Sequence, residues 1–202
     1  VKTVFHLKKG YNHLTIEVDL PRISPVISLD FVKMPSQTWL VTGASSGLGT
    51  AIAESALRAG NKVLATARNP EKAASENPQI AELGGVWVRL DVTQTDTARH
   101  VEEIIRVDGG SSIDVVVNNA GYSLLGSIED MSEAEIEAQF STNLYGPIRV
   151  LKGVLPFMRA QRSGIVVNVS SSAAFEAFPG CAMYAGSKFA LEGEFERDEL
   201  EI

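Results

Sequence analysis

From residue 36 onward, short apolar runs alternate with stretches whose apolar residues recur every three or four positions. Trp39-Leu-Val-Thr42 reads as a strand running into a glycine-rich turn. Leu48, Ile52, Ala56 and Ala59 then share one face of a helix that Gly60 would close. Lys62-Val-Leu-Ala-Thr66 predicts a second strand, and Pro70 opens a polar helix expected to reach Leu83. Val86-Trp-Val-Arg-Leu90 is the third strand. Thr93-Gln-Thr-Asp96 has capping-box spacing and predicts the start of a helix carrying Val101, Ile104 and Ile105. Ile113-Asp-Val-Val-Val117 and Ile165-Val-Val-Asn-Val169 supply the fourth and fifth strands. Between them Ser132-Glu-Ala-Glu135 caps one helix, and another runs from about Pro147 to Ala160. A last helix carries Tyr184 to about Leu191. Apolar strands alternating with helices imply an α/β fold, a doubly wound parallel sheet covered on both faces.

Residues 1–35 do not share this rhythm. Pro21, Pro25 and Pro35 interrupt them, and Leu14-Thr-Ile-Glu-Val-Asp-Leu20 alternates like a half-buried strand. They carry a net charge of +2, against −9 for the remainder, and Met34-Pro-Ser-Gln reads as a natural beginning. The expectation is therefore a leader of separate origin over 1–35 and one domain over 36–202. The overall charge of −7 disfavours a nucleic-acid partner. One cysteine, Cys181, excludes an internal disulfide, no apolar run reaches membrane-span length, and the start is unlike a secretory signal. These point to the cytoplasm, with no membrane partner. No metal-ligand spacing appears. Cys181 reads as a small helix-start residue, His100 as a helix-surface residue, and Trp39 and Trp87 as core residues of strands.

Two patterns carry chemistry. Gly43, Gly47 and Gly49 lie between a strand and a helix, where missing side chains let the backbone approach a pyrophosphate at a helix N-terminus. A plain glycine-rich turn is the alternative. The end of the second strand, where an acid would read a ribose 2′-hydroxyl, holds Thr66-Ala-Arg68-Asn69 instead. Arg68 there suits a 2′-phosphate and predicts NADP(H); a solvated surface arginine is the alternative. Tyr184 and Lys188 form the second pattern. A tyrosine hydroxyl titrates near pH ~10, and an ammonium four residues on, on the same helix face, favours the phenolate. Ser171, thirteen residues before Tyr184 at the end of the fifth strand, can hydrogen-bond a substrate oxygen. Ser170 and Ser172 compete with it, and the spacing to Tyr184 selects Ser171.

The chain resembles the short-chain dehydrogenases/reductases, in the branch with a Thr-Gly-x-x-x-Gly-x-Gly turn. The matches are Thr42-Gly-Ala-Ser-Ser-Gly-Leu-Gly49, Asp91-Val92, Asn118-Asn-Ala-Gly121, Asn143 in Thr-Asn-Leu-Tyr-Gly, Asn168-Val-Ser-Ser171 and Tyr184-Ala-Gly-Ser-Lys188. They stand in family order over residues 38–191, about three quarters of the chain. The resemblance implies a Rossmann-type sheet and a hydride transfer between NADP(H) and a small carbonyl compound or its alcohol. It implies Tyr184 as general acid/base, Lys188 as the group that lowers its pKa and holds the cofactor ribose, Ser171 as the carbonyl polariser, and Asn143 as holder of a relay water. The cofactor set it implies is Gly43, Ser45, Ser46, Gly47, Leu48, Gly49, Arg68, Asp91, Val92, Asn118, Ala120 and Gly121, with Tyr184 and Lys188. Asp91 could instead precede a helix cap, Asn143 could be an interior polar residue bonded to backbone, and Asn118 to Gly121 a strand-end turn.

Members of this branch continue well beyond the Tyr/Lys helix, whereas this sequence stops fourteen residues after Lys188. Residues 192–201, with six acids and one arginine, read as a solvated helix end. The expectation is a sheet incomplete on its C-terminal side, with the fifth strand an open edge, and a homo-oligomer interface of the family kind left incomplete. Two functions follow: an NADP(H)-dependent oxidoreductase, favoured by the intact Ser/Tyr/Lys set, or a non-catalytic nucleotide-binding or interaction protein or inactive truncated product, favoured by the early stop.

Overall fold

The computed structural model describes residues 13–16, 27–30, 36–108, 110, 112–176 and 178–195. The chain divides into two compact units, residues 1–36 and 37–202. The first holds an antiparallel pair, β1 (His13–Ile16) and β2 (Ile27–Asp30), with His13 opposite Asp30 and Ile16 opposite Ile27. The strand expected over Leu14–Leu20 is thus present in its first residues, and 17–20 lie outside the described ones.

The second unit is built on five parallel strands, β3 (Thr38–Val41), β4 (Lys62–Ala67), β5 (Val86–Arg89), β6 (Val115–Asn118) and β7 (Ile165–Asn168). Their spatial order is β5-β4-β3-β6-β7. The helices between them are α1 (Gly47–Arg58), α2 (Pro70–Glu76), α3 (Pro78–Glu82), α4 (Thr97–Val107), α5 (Glu133–Phe140), α6 (Gly146–Gln161) and, after β7, α7 (Ala182–Phe195). The chain winds outward from β3 in one direction, then crosses to β6 and winds in the other. The loops leaving β3 and β6 therefore part company and open a crevice at the carboxyl ends of these neighbouring strands, the switch point where such sheets bind ligands.

Successive side chains of a strand face opposite sides, and both sides are buried here. Leu40, Leu64 and Val116 enter one core with Val101, Ile104 and Ile105 of α4 and Val150, Leu151, Val154 and Met158 of α6. Their neighbours Val41, Val63, Ala65, Val115 and Val117 enter a second core with Ala53, Ala56 and Leu57 of α1 and Ile80 of α3. A central strand such as β6 can carry no exposed residue, which is why Val-Val-Val-Asn is buried throughout. Truncating one of the fully buried leucines, such as Leu64, would cost about 2–5 kcal/mol. Trp39 and Trp87 pack against the second core and are half-buried. β7 is the edge strand of the described sheet, and Ile165 and Val167 remain exposed on it.

Three local details differ from the sequence-based expectation. The helix expected over 70–83 is two helices, broken at Asn77. Pro78 lacks the N–H a continuing helix would need and pushes the preceding residue out of helical backbone, to φ −134° and ψ 63°. The capping box at Thr93 is absent. Asp91 offers a charged acceptor two residues earlier, and both Thr93 N and Oγ1 donate to its Oδ1, at 3.0 and 2.7 Å. α4 begins instead at Thr97, whose hydroxyl donates to Gln94 O at 2.7 Å. The capping box at Ser132 does form, with Glu135 N donating to Ser132 Oγ and Ser132 N to Glu135 Oε2. Finally, α5 and α6 are joined through a π-helical turn, Ser141–Tyr145, with Asn143 at its centre. Such turns insert a residue into a helix and re-aim the side chains around it.

Candidate active site

The turn after β3 is fastened by its carbonyls. Thr42 O and Gly43 O accept from Asn119 Nδ2 at 2.9 and 3.1 Å, Ala44 O accepts from Thr50 Oγ1 at 2.8 Å, and Ser45 O accepts from Asn77 Nδ2 at 3.0 Å. Thr42 Oγ1 also accepts from the backbone N–H of Asn119 and Ala120, each at 3.0 Å, which locks the β3 and β6 loops together. A Cβ on Gly43 would come within 2.8 Å of Ala120 Cα, and Gly43 stands at φ +63°, where a side chain is also strained. A Cβ on Gly49 would collide with the Asn119 amide and the Gly43 carbonyl. The backbones therefore approach as closely as the residue types permit. Ser46, the N-cap of α1, makes no side-chain cap bond, so its hydroxyl does not occupy the first-turn N–H groups of that helix. Uncapped N–H groups beside a turn whose carbonyls are held elsewhere suit a pyrophosphate.

A groove of about 700 Å³ begins at this turn and ends at α7. Of the residues singled out from sequence, Gly43, Ser45, Ser46, Gly47, Leu48, Arg68, Asp91, Val92, Ala120, Gly121, Tyr184 and Lys188 all line it. Gly49, Asn118, Asn143 and Ser171 do not. Gly49 lies behind the turn. Asn118 is buried, in register with Asn168, and donates to its side-chain oxygen at 2.9 Å. Ser171 caps a single 3₁₀ turn, Ser172–Ala174, where its Oγ accepts from Ala173 N at 3.2 Å. Ser170 lines the groove instead, and its hydroxyl is buried with no hydrogen-bond partner among the described residues.

Asn143 is 1% exposed, and its carboxamide is committed to protein. Its Oδ1 accepts from Tyr122 N at 3.1 Å; its Nδ2 donates to Tyr122 O at 2.9 Å and to Ser187 Oγ at 3.0 Å. Ser187 in turn donates to Tyr184 O at 2.7 Å. The π turn thus ties the loop after β6 to the helix that carries Tyr184. Lys188, one helical turn beyond Tyr184, is 6% exposed and donates from Nζ to Val169 O at 2.7 Å. Burial lowers the pKa of this ammonium, and the nearby Glu192 charge opposes the shift. Cys181 precedes α7 and its carbonyl accepts from Ala185 N, while His100 is exposed on α4 beside Asp96.

At the other end, Arg68 is exposed at the tip of β4 and Asp91 half-buried after β5. Burial pushes the Asp91 carboxyl up. Hydrogen bonds from Thr93 and Gln94 and the charge of Arg68 outweigh it and hold the group below its usual range. Sequence reasoning took Asn119 only as part of the stretch 118–121 and Thr93 only as a cap, and did not single out Ser187 or Asn77. Asn119 and Ser187 stand inside quoted motifs and carried a signal; Asn77 carried none, since its partner is 32 residues away.

A parallel sheet whose winding reverses beside a glycine turn, with a tyrosine and a buried lysine at the far end of the same groove, defines a fold of the Rossmann type. The family model described as short chain dehydrogenase matches residues 37–201, and the chain belongs to that family. It is 50% identical over 162 residues to "Oxidoreductase claN" of Passalora fulva, covering 80% of this chain and 73% of the relative. "Oxidoreductase calM" of Penicillium decumbens is 39% identical over 180 residues, 85% of this chain and 58% of its own. The crystal structure of a metagenomic short-chain oxidoreductase in complex with NADP superposes with a TM-score of 0.73 at 33% identity, covering 79% of this chain and 73% of that one. The chain thus spans between 58% and 73% of the length of these relatives. Among the described residues, no helix is long and apolar enough to cross a membrane.

Proposed function

We propose that this chain carries the site of an NADP(H)-dependent oxidoreductase that interconverts a small carbonyl compound and its alcohol, with Tyr184 as general acid/base. The observation that carries the reading is the single groove joining the cradle at Gly43–Leu48 to Tyr184 and Lys188. Arg68 beside Asp91 supports the phosphorylated cofactor, because a cation at the tip of β4 suits a 2′-phosphate. The metagenomic relative bound to NADP supports it by analogy.

When bound, the nicotinamide ring supplies or accepts the hydride. The chain's own groups do the rest. The α1 N–H groups and Arg68 would hold the cofactor's phosphates, and Asp91 with Val92 would flank its adenine. Ala120 and Gly121 line the groove next to Asn119. In the reducing direction Tyr184 gives its hydroxyl proton to the carbonyl oxygen as charge develops there, and Ser171 hydrogen-bonds the same oxygen. Ser171 Oγ accepts from Ala173 N, which leaves its own proton free to donate. Lys188 spends one N–H on Val169 O and has two more for the cofactor ribose and for the field at Tyr184. The resemblance gives Asn143 a relay water to hold, and because its side chain is committed to Tyr122 and Ser187, only its backbone would be left for that role. The substrate and a family-like homo-oligomer belong to this same proposal, as does a cytoplasmic setting.

The test couples binding to turnover. Fluorescence titration should show NADPH binding to the wild-type chain, and a panel of ketones and aldehydes should show NADPH oxidation. Tyr184→Phe should keep the binding and lose turnover by about 10²–10⁴-fold. Undiminished turnover in that variant rejects the mechanism.

A further inference from the structure

Asn77 lies outside every motif, at the break between α2 and α3. Its carboxamide crosses to the cradle. Nδ2 donates to Ser45 O at 3.0 Å and to Ala73 O at 3.1 Å, so both amide protons are used. The backbone of Asn77 is fastened as well: its N–H donates to Ala73 O at 2.9 Å, and its carbonyl accepts from Ile80 N at 3.2 Å. Pro78 sets the non-helical backbone that holds the residue there. This is a braced side chain, half-buried, and not a free surface amide.

A trans peptide is planar, and its C=O and N–H point opposite ways. Fastening Ser45 O toward the α2–α3 junction therefore turns the N–H of Ser46 away from that junction. Ser45 and Ser46 both line the groove, and Ser46 is the uncapped start of α1. The other carbonyls of the turn are held by Asn119 at the end of β6 and Thr50 inside α1. The last one before the helix depends on a residue from a different crossover.

We propose that Asn77 is a positioning residue for the phosphate cradle: it holds the Ser45 carbonyl so that the Ser46 N–H faces the anion. The inference rests on the reading that the groove takes a dinucleotide. Arg68 would then supply charge at the rim, and Asn77 would set the direction of the backbone donor behind it.

The test measures Kd for NADPH, NADH and ADP-ribose by fluorescence or calorimetry, well below each variant's melting temperature. Asn77→Ala and Asn77→Asp should each weaken all three ligands by about tenfold, as expected for one misdirected phosphate hydrogen bond. Asn77→Asp keeps the shape of Asn but presents an acceptor to Ser45 O, so it serves if the alanine variant folds poorly, and its loss should persist at high salt, where repulsion between the new charge and the anion is screened. Lys72→Ala, which removes only the exposed 3.7 Å pair with Glu76 on α2, should leave every Kd unchanged. Wild-type affinity in Asn77→Asp overturns the proposal, as does an equal loss in Lys72→Ala, which would assign the effect to helix stability. A wild-type chain that binds none of the three ligands refutes the dinucleotide reading itself, a separate outcome.

Discussion

Removing the Ser187 hydroxyl tests the coupling between the π turn and the Tyr184 helix. Ser187 is fully buried and joins Asn143 Nδ2 to Tyr184 O. In Ser187→Ala the Tyr184 carbonyl keeps its helical partner four residues on and loses little. Asn143 fares worse. It is 1% exposed, so water cannot replace the lost acceptor, and one of its two amide protons is left buried and unpaired. Such a group costs about 1–3 kcal/mol. For a domain of this size that corresponds to a fall in melting temperature of roughly 4–8 °C at the middle of the range. The assay is urea unfolding followed by the fluorescence of Trp39 and Trp87, both half-buried in the sheet. A double-mutant cycle with Asn143→Ala isolates the term. Once the amide is gone no donor is orphaned, so the second substitution should cost less by about 1–2 kcal/mol. A Ser187→Ala variant within about 0.5 kcal/mol of wild type, or a cycle additive within that margin, would refute the reasoning.

The remaining predictions concern the two ends of the groove. Arg68→Asp should raise the Kd for NADPH by roughly ten- to a hundredfold and spare NADH, and an equal loss of both would remove the basis for choosing NADP(H). Ser171→Ala should lower kcat with little change in NADPH affinity, whereas Ser170→Ala should not; the reverse pattern would transfer the polarising role to the serine that lines the groove. Asp91 is held below its ordinary value of 3.8, so the folded chain binds fewer protons there than the unfolded one. Its contribution is complete above the unfolded pKa and is lost as pH falls through the folded one; Asp91→Asn should therefore show a flatter decline in stability on the acid side.

The sheet was legible because its strands are buried on both faces and so read as short, continuous apolar runs, and β3 to β7 fall within one or two residues of the expectation. The site was legible where backbone geometry demands a residue type, as at Gly43 and Gly49, or where helical spacing alone brings groups together, as with Tyr184 and Lys188. It was less legible where two acceptors compete for one donor. Thr93 had the spacing of a cap, yet the carboxylate of Asp91, rather than that of Asp96, took its backbone N–H. The break at Asn77 was written in the sequence as Asn-Pro, but helical periodicity on either side obscured it.

The sequence by itself determined the alternation of strands and helices, the glycine turn, and the tyrosine and lysine on one helix face, since each depends on neighbours a few positions apart. Only the tertiary structure decided which donors hold the turn's carbonyls, that the Asn143 side chain grips the Tyr122 backbone and Ser187, and that Ser170 lines the groove while Ser171 caps the next turn. The contacts of Asn119, Asn77 and Asn143 join residues from separate crossovers, and their partners are chosen by how the helices pack across the sheet, which no local spacing encodes.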